Sequence, residues 1–204
     1  MDFDEESTPG VRDKNREARH SALVDAAYSL FAEKGFAATT MDEIAARAGL
    51  SRRTAFRLVT SKEDLVFPRR DARLARLTEL LAPKEAETPA STVRRACLSL
   101  ARDYQDDRVR MLAQWRVVES DPALLGRELL LDRASEEALE RAFLGDERDT
   151  PRARRRASVR ASAVSGAVRA TLREWLRGGA TADLVRLGRE TFTELAQGLG
   201  GIER

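Results

Sequence analysis

The chain has 204 residues, 42% hydrophobic and 34% charged, with a net charge of +2. No stretch approaches the roughly 18 consecutive apolar residues that a membrane span needs, and the acidic start Met1-Asp2-Phe3-Asp4-Glu5-Glu6 lacks the order of a secretory signal. Cys97 and His20 are single in the chain, and no Gly-rich phosphate loop or nucleophile elbow occurs, so no disulfide, metal site, cofactor or enzymatic activity is expected, and a cytoplasmic setting is.

The net charge conceals an uneven distribution. Residues 1–10 sum to −4 and read as a disordered acidic tail, whereas residues 11–62 carry ten basic and six acidic side chains. A first helix is predicted from Val11 to Lys34, with Leu23, Ala26, Ala27, Leu30 and Phe31 on one apolar face and Gly35 as its left-handed stop. Arg16 and Arg19 lie in its first turns, within reach of a phosphate backbone. Thr40-Met41-Asp42-Glu43 has the spacing of a capping box that opens a second short helix, and Gly49 permits a sharp turn after it. Ser51 caps a third helix whose Ala55, Leu58 and Val59 face inward, leaving Arg52, Arg53, Thr54 and Arg57 outward. Two short helices joined by a tight turn, with positive charge on the second, form the layout of a helix-turn-helix.

Along Ala26-Ala27, Leu30-Phe31, Gly35-Phe36, Thr39-Thr40, Ile44-Ala45, Ala48-Gly49-Leu50-Ser51, Arg53-Thr54, Phe56-Arg57 and Ser61-Lys62-Glu63-Asp64-Leu65, the chain resembles the DNA-binding region of the TetR family of bacterial transcriptional regulators. The resemblance covers about a quarter of the chain. It implies a homodimeric, ligand-responsive regulator, most simply a repressor on a palindromic operator in double-stranded DNA, located with the nucleoid in the cytoplasm. Arg52, Arg53 and Arg57 are then the candidates for base reading, since arginine can bridge guanine O6 and N7. Arg16, Arg19, Thr40, Ser51, Thr54 and Lys62 are the candidates for phosphate. The family often has tyrosine where Phe56 stands, and histidine or tyrosine followed by phenylalanine where Leu58-Val59 stand. Those polar contacts are missing here.

Beyond Ser61 the chain reads as helix after helix. Pro68 predicts a break or kink near Phe67. Asp121-Pro122 and Pro151 mark helix starts, and Gly178-Gly179 a stop. The fold class expected is all-α, with about nine helices: a tail at 1–10, a three-helix helix-turn-helix domain at 11–60, and a larger helical ligand-binding and dimerisation domain at 61–204. Leu77, Tyr104, Met111, Trp115 and Phe143 are candidate walls of a mostly apolar pocket for a hydrophobic or amphipathic small-molecule effector. Ser162, Gly166 and Ala170 recur every four residues, allowing close helix approach. With Phe192 and Leu195, on the last helix, they are the candidate dimer interface. The competing reading is a helical small-molecule- or partner-binding protein that keeps this fold without regulating transcription.

Overall fold

Local chemistry sets most of the helix ends in the computed structural model, which describes residues 9–145 and 147–198. Ten helices occur among them: α1 (Pro9–Lys34), α2 (Met41–Arg47), α3 (Arg52–Leu58), α4 (Lys62–Val66), α5 (Arg70–Leu80), α6 (Pro89–Asp106), α7 (Arg108–Glu119), α8 (Pro122–Leu144), α9 (Pro151–Arg177) and α10 (Leu184–Gln197). The expected acidic tail lies outside the described residues, apart from Pro9 and Gly10, which already belong to α1. Thr40 and Glu43 close the capping box reciprocally, the Thr40 amide donating to the Glu43 carboxylate at 2.9 Å and the Glu43 amide to the Thr40 hydroxyl at 3.3 Å. Thr150, preceding a proline at the first helical position, and Asp183 cap α9 and α10 in one direction only, their side chains accepting from the Ala153 and Arg186 amides.

The tenth helix, one more than expected, is the work of Pro68. Phe67 leaves helical geometry at φ −118° and ψ 52°, so the break or kink expected near it is a break, giving two separate helices, α4 and α5. Packing groups the described residues of Met1–Pro68 with Arg116–Leu125, and those of Arg69–Trp115 with Gly126–Arg204. The sequence boundary at 60/61 therefore falls eight residues before the place where packing changes. The segment from Arg116 groups with the N-terminal residues despite its distance along the chain.

In the N-terminal unit, α1 packs on α2, α3 and α4, and α2 on α3. Leu23, Ala27, Leu30, Phe31, Phe36, Ile44, Ala45, Ala55, Val59 and Leu65 are buried there. The Tyr28 hydroxyl donates to the Val66 carbonyl at 2.8 Å, which ties α1 to the end of α4. Charged clamps brace the outside: Arg47 makes two hydrogen bonds to Glu33, at 2.7 and 2.9 Å, and Lys34 bonds Glu43.

The second unit holds two apolar clusters. One joins Leu77, Leu81, Val93, Ala96, Leu139, Phe143, Ala157, Ala161 and Val164; the other centres on Met111, Trp175, Leu176, Ala180 and Leu184. Arg95 closes the α5–α6 connection by donating to the Leu80 and Ala82 carbonyls, at 2.9 and 3.0 Å, and to Glu87. Helix α10 lies on both α6 and α9, and a Cβ added at Gly188 would come within 3.0 Å of Leu98.

Three of these clamps hold carboxyls down to about 2: Arg47, then Ser29, lowers Glu33; Lys34, then Thr40, lowers Glu43; Arg95 lowers Glu87. A carboxyl whose folded value is depressed adds stability above its unfolded value and loses it as the pH falls toward the folded one. Stability is therefore expected to decline between the ordinary carboxylate range and about pH 2, with a small amplitude because all three groups are solvated. Urea denaturation across this range should show a shallower acid slope in an E33Q/E43Q/E87Q variant, and an unchanged slope would contradict the assignment.

Candidate nucleic-acid interface

Helix α3 has seven residues, too few to be stable alone, so its shape comes from its cap and its packing. The Ser51 hydroxyl accepts from the Thr54 amide at 3.2 Å. Ala55 is fully buried, Val59 at the C-cap is buried and Leu58 half-buried, which fixes the side of α3 that faces the core. The turn before it uses Gly49 at φ +68°, a conformation that L side chains adopt only with strain. Arg52, Arg53, Phe56 and Arg57 are left exposed, and Thr54 half-buried.

The outward arginines are not equivalent. Arg52 donates to Asp42 of α2 at 2.6 Å and its guanidinium lies 5.3 Å from the centre of the Phe56 ring. Arg53 and Arg57 have no hydrogen-bond, ion-pair or ring partner among the described residues, and neither do Arg16 and Arg19 on α1. Four guanidinium groups are thus free to meet an anionic surface, and one is held in a defined pose. Asp42, whose spacing marks it only as part of a helix start, was not recognisable from sequence as the partner of Arg52. The 43%-exposed Phe56 fills its position with an apolar platform for that arginine.

The hydroxyl candidates serve the helix ends. Thr40 donates to Glu43 at 2.8 Å while accepting from its amide, and Ser51 and Thr54 share a hydrogen bond of 2.9 Å. A phosphate contact from these residues requires exchange of one existing bond. Lys62 is more firmly committed. Its ammonium donates to the carbonyls of Phe36 and Thr39 at 2.9 and 3.0 Å and to Ala37 at a longer 3.4 Å, over the Phe36 ring at 4.3 Å. It fastens the first residue of α4 to the loop that leads into α2.

The five candidate pocket residues do not converge on one place. Leu77 and Phe143 are buried in the first apolar cluster of the second unit, and Met111, with the half-buried Tyr104 and Trp115, belongs to the other. Of the candidate interface residues, Ser162, Gly166, Ala170 and Leu195 are exposed, whereas Phe192 is half-buried against the chain's own first cluster. The Ser162 hydroxyl donates to Glu136. Polar residues invisible to the sequence reading lie near Tyr104, foremost Arg73, which donates to the buried Gln114.

Removing the Lys62 ammonium leaves carbonyls without their charged donor, a loss of about 1–3 kcal/mol, whereas the exposed Arg52–Asp42 pair is worth no more than about 1 kcal/mol. Lys62→Ala should therefore destabilise the protein clearly more than Asp42→Ala in urea denaturation. Equal losses would contradict the clamp.

Residues 23–67 match the family described as bacterial regulatory proteins, tetR family. Among curated proteins, the HTH-type transcriptional repressor Rv3405c of Mycobacterium tuberculosis (strain ATCC 25618 / H37Rv) is 40% identical over 81 residues, 40% of this chain and 42% of that one. The chain spans only about half the length of the curated relatives it matches, between 42% and 52%. Solved structures are similar over far more of it. NalD, the secondary repressor of the MexAB-OprM multidrug efflux pump in Pseudomonas aeruginosa, superposes with a TM-score of 0.65 at 18% identity, covering 91% of this chain and 98% of that one. The SmeT–triclosan complex gives 0.64 at 19%, covering 86% and 88%. At these identities the likeness concerns the fold, while the sequence match is carried by the N-terminal helices that hold the arginine-bearing α3. Residues 23–67, which hold the arginine-bearing α3, are thus similar to the bacterial regulatory proteins of the tetR family, and the described residues share an all-helical fold with these solved structures.

Proposed function

We propose that this protein represses transcription in the bacterial cytoplasm by binding a palindromic operator as a homodimer, and that a small effector releases it. The observation that carries the reading is the outward face of α3, where Arg53 and Arg57 stand exposed and unpaired beside the posed Arg52 on a helix anchored by buried Ala55 and Val59. Guanine offers the O6 and N7 acceptors that an arginine fork matches. Arg16 and Arg19 of α1, exposed and unpaired, supply charge for the phosphates. Thr40, Ser51 and Thr54 would add to that grip by exchanging cap bonds, and Lys62 by giving up one of its carbonyls.

Two copies would pair through the exposed Ser162, Gly166 and Ala170 of α9, whose small side chains permit a close crossing, with the exposed Leu195 of α10 beside them. For the effector, the similar SmeT structure is a complex with triclosan, a small molecule, which supports a small-molecule ligand here. To carry the dimer from nearly all bound to nearly all free, it must favour the released form by about 5.5 kcal/mol.

Gel shifts with DNA upstream of its own gene test the reading directly. Failure to retard any such fragment at low salt would sink it. Where binding occurs, Arg53→Ala should cost about 1–3 kcal/mol and relax preference at one operator position. Arg16→Ala should weaken all sequences alike and lower the salt slope by about one. The same response from both variants would contradict these roles.

A further inference from the structure

In the larger unit, Arg73 makes no direct hydrogen bond or ion pair to a carboxylate among the described residues. Arg73, half-buried on α5, donates to the Gln114 amide oxygen at 3.1 Å and to the Met111 sulfur at 3.0 Å, and its guanidinium lies 5.4 Å from the centre of the Tyr104 ring. All these partners are neutral, and a thioether is a weak acceptor. A guanidinium whose direct contacts are all neutral keeps donors for which an arriving anion would be a stronger partner.

A second donor stands beside it: the hydroxyl of the half-buried Tyr104 has no hydrogen-bond partner among the described residues and is free to donate to a ligand. Arg73, Arg169 and Arg173 interact electrostatically with Glu128, as does Asp132, and Asp103 and Asp132 act on Tyr104, so guanidiniums and carboxyls are both present in the region. Asp132 already bonds Arg169 at 2.9 Å. Burial, then Asp132, pushes the Glu128 carboxyl up from its ordinary range, against the pull of the three arginines. Met111 and Trp115, in the same apolar cluster as Tyr104, can cover an apolar body.

We propose that the effector is an organic acid, its carboxylate held by Arg73 and the Tyr104 hydroxyl in place of the Met111 sulfur, its apolar part lying against Met111 and Trp115. This rests on the effector-released regulator proposed above and adds the chemical class of its ligand. The experiment compares 4-phenylbutyrate and straight-chain acids from butyrate to dodecanoate with the matching alcohols and amines, read by tryptophan fluorescence and thermal shift on the full chain.

At least one acid should bind saturably about tenfold or more tightly than its alcohol and amine, the usual advantage of a charge-assisted bond. Arg73→Gln should erase that preference while leaving the alcohol's affinity unchanged. Tyr104→Phe, which removes only the unpartnered hydroxyl, should lower acid affinity several-fold in a folded protein. Equal or tighter binding of the amine, undiminished acid binding by Arg73→Gln, or no saturable binding of any acid overturns the proposal. Acid binding that leaves a wild-type DNA complex intact refutes the release mechanism instead and leaves this site standing. Release by an amine alone does the reverse.

Discussion

A helix of seven residues cannot hold its own shape in water, and the geometry of the arginine face follows from how α3 is held. Nucleation of an isolated turn is unfavourable, so the Ser51 cap and the burial of Ala55 and Val59 must supply what length does not. Those contacts exist only because α1 and α2 present Leu30, Phe31, Ile44 and Ala45 in the same core. Lys62 then draws the beginning of α4 onto the loop between α1 and α2, and Tyr28 secures its end. The exposed arginines are thus positioned by apolar burial beneath them and by hydrogen bonds at the ends of the neighbouring helices.

The polar side chains divide into those spent inside the protein and those left free. Lys34, Arg47, Lys62 and Arg95 all serve intramolecular contacts, two of them on backbone carbonyls that end a helix or line a loop. Arg16, Arg19, Arg53 and Arg57 serve none among the described residues. Composition cannot make this distinction. A net charge of +4 over residues 11–62 counts Lys62 and Arg53 alike, although one is bound at three carbonyls and the other stands in solvent.

Features governed by near neighbours in the chain were legible beforehand. The Thr40 capping box, the Ser51 cap, the Gly35 and Gly49 stops, the inward set on α3 and the break at Pro68 all depend on residues within a few positions of one another. What escaped notice is tertiary. Lys62 reaches back 26 residues to Phe36, Arg73 reaches forward 41 to Gln114, and Asp42 meets Arg52 only because a turn brings two helices together. Periodicity identifies Leu77 and Met111 alike as inward-facing residues, and carries no information about which cluster each one joins. Nor could it show that Arg116–Leu125 packs with the N-terminal residues.

Were α3 to read DNA as proposed, the Arg52–Asp42 contact would bear on the time spent searching a chromosome. In a DNA-reading role, Arg52 must leave Asp42 before it can reach a base, and the carboxylate it abandons then stands close to the phosphates it repels. On a random sequence nothing compensates for that separation, so the pair stays closed and the reading face offers less attraction. At a matching guanine, the new fork of hydrogen bonds offsets it. In the proposed role the pair would thus shorten each non-productive stop more than the stay at the target, separating scanning from residence without adding a single contact to the operator.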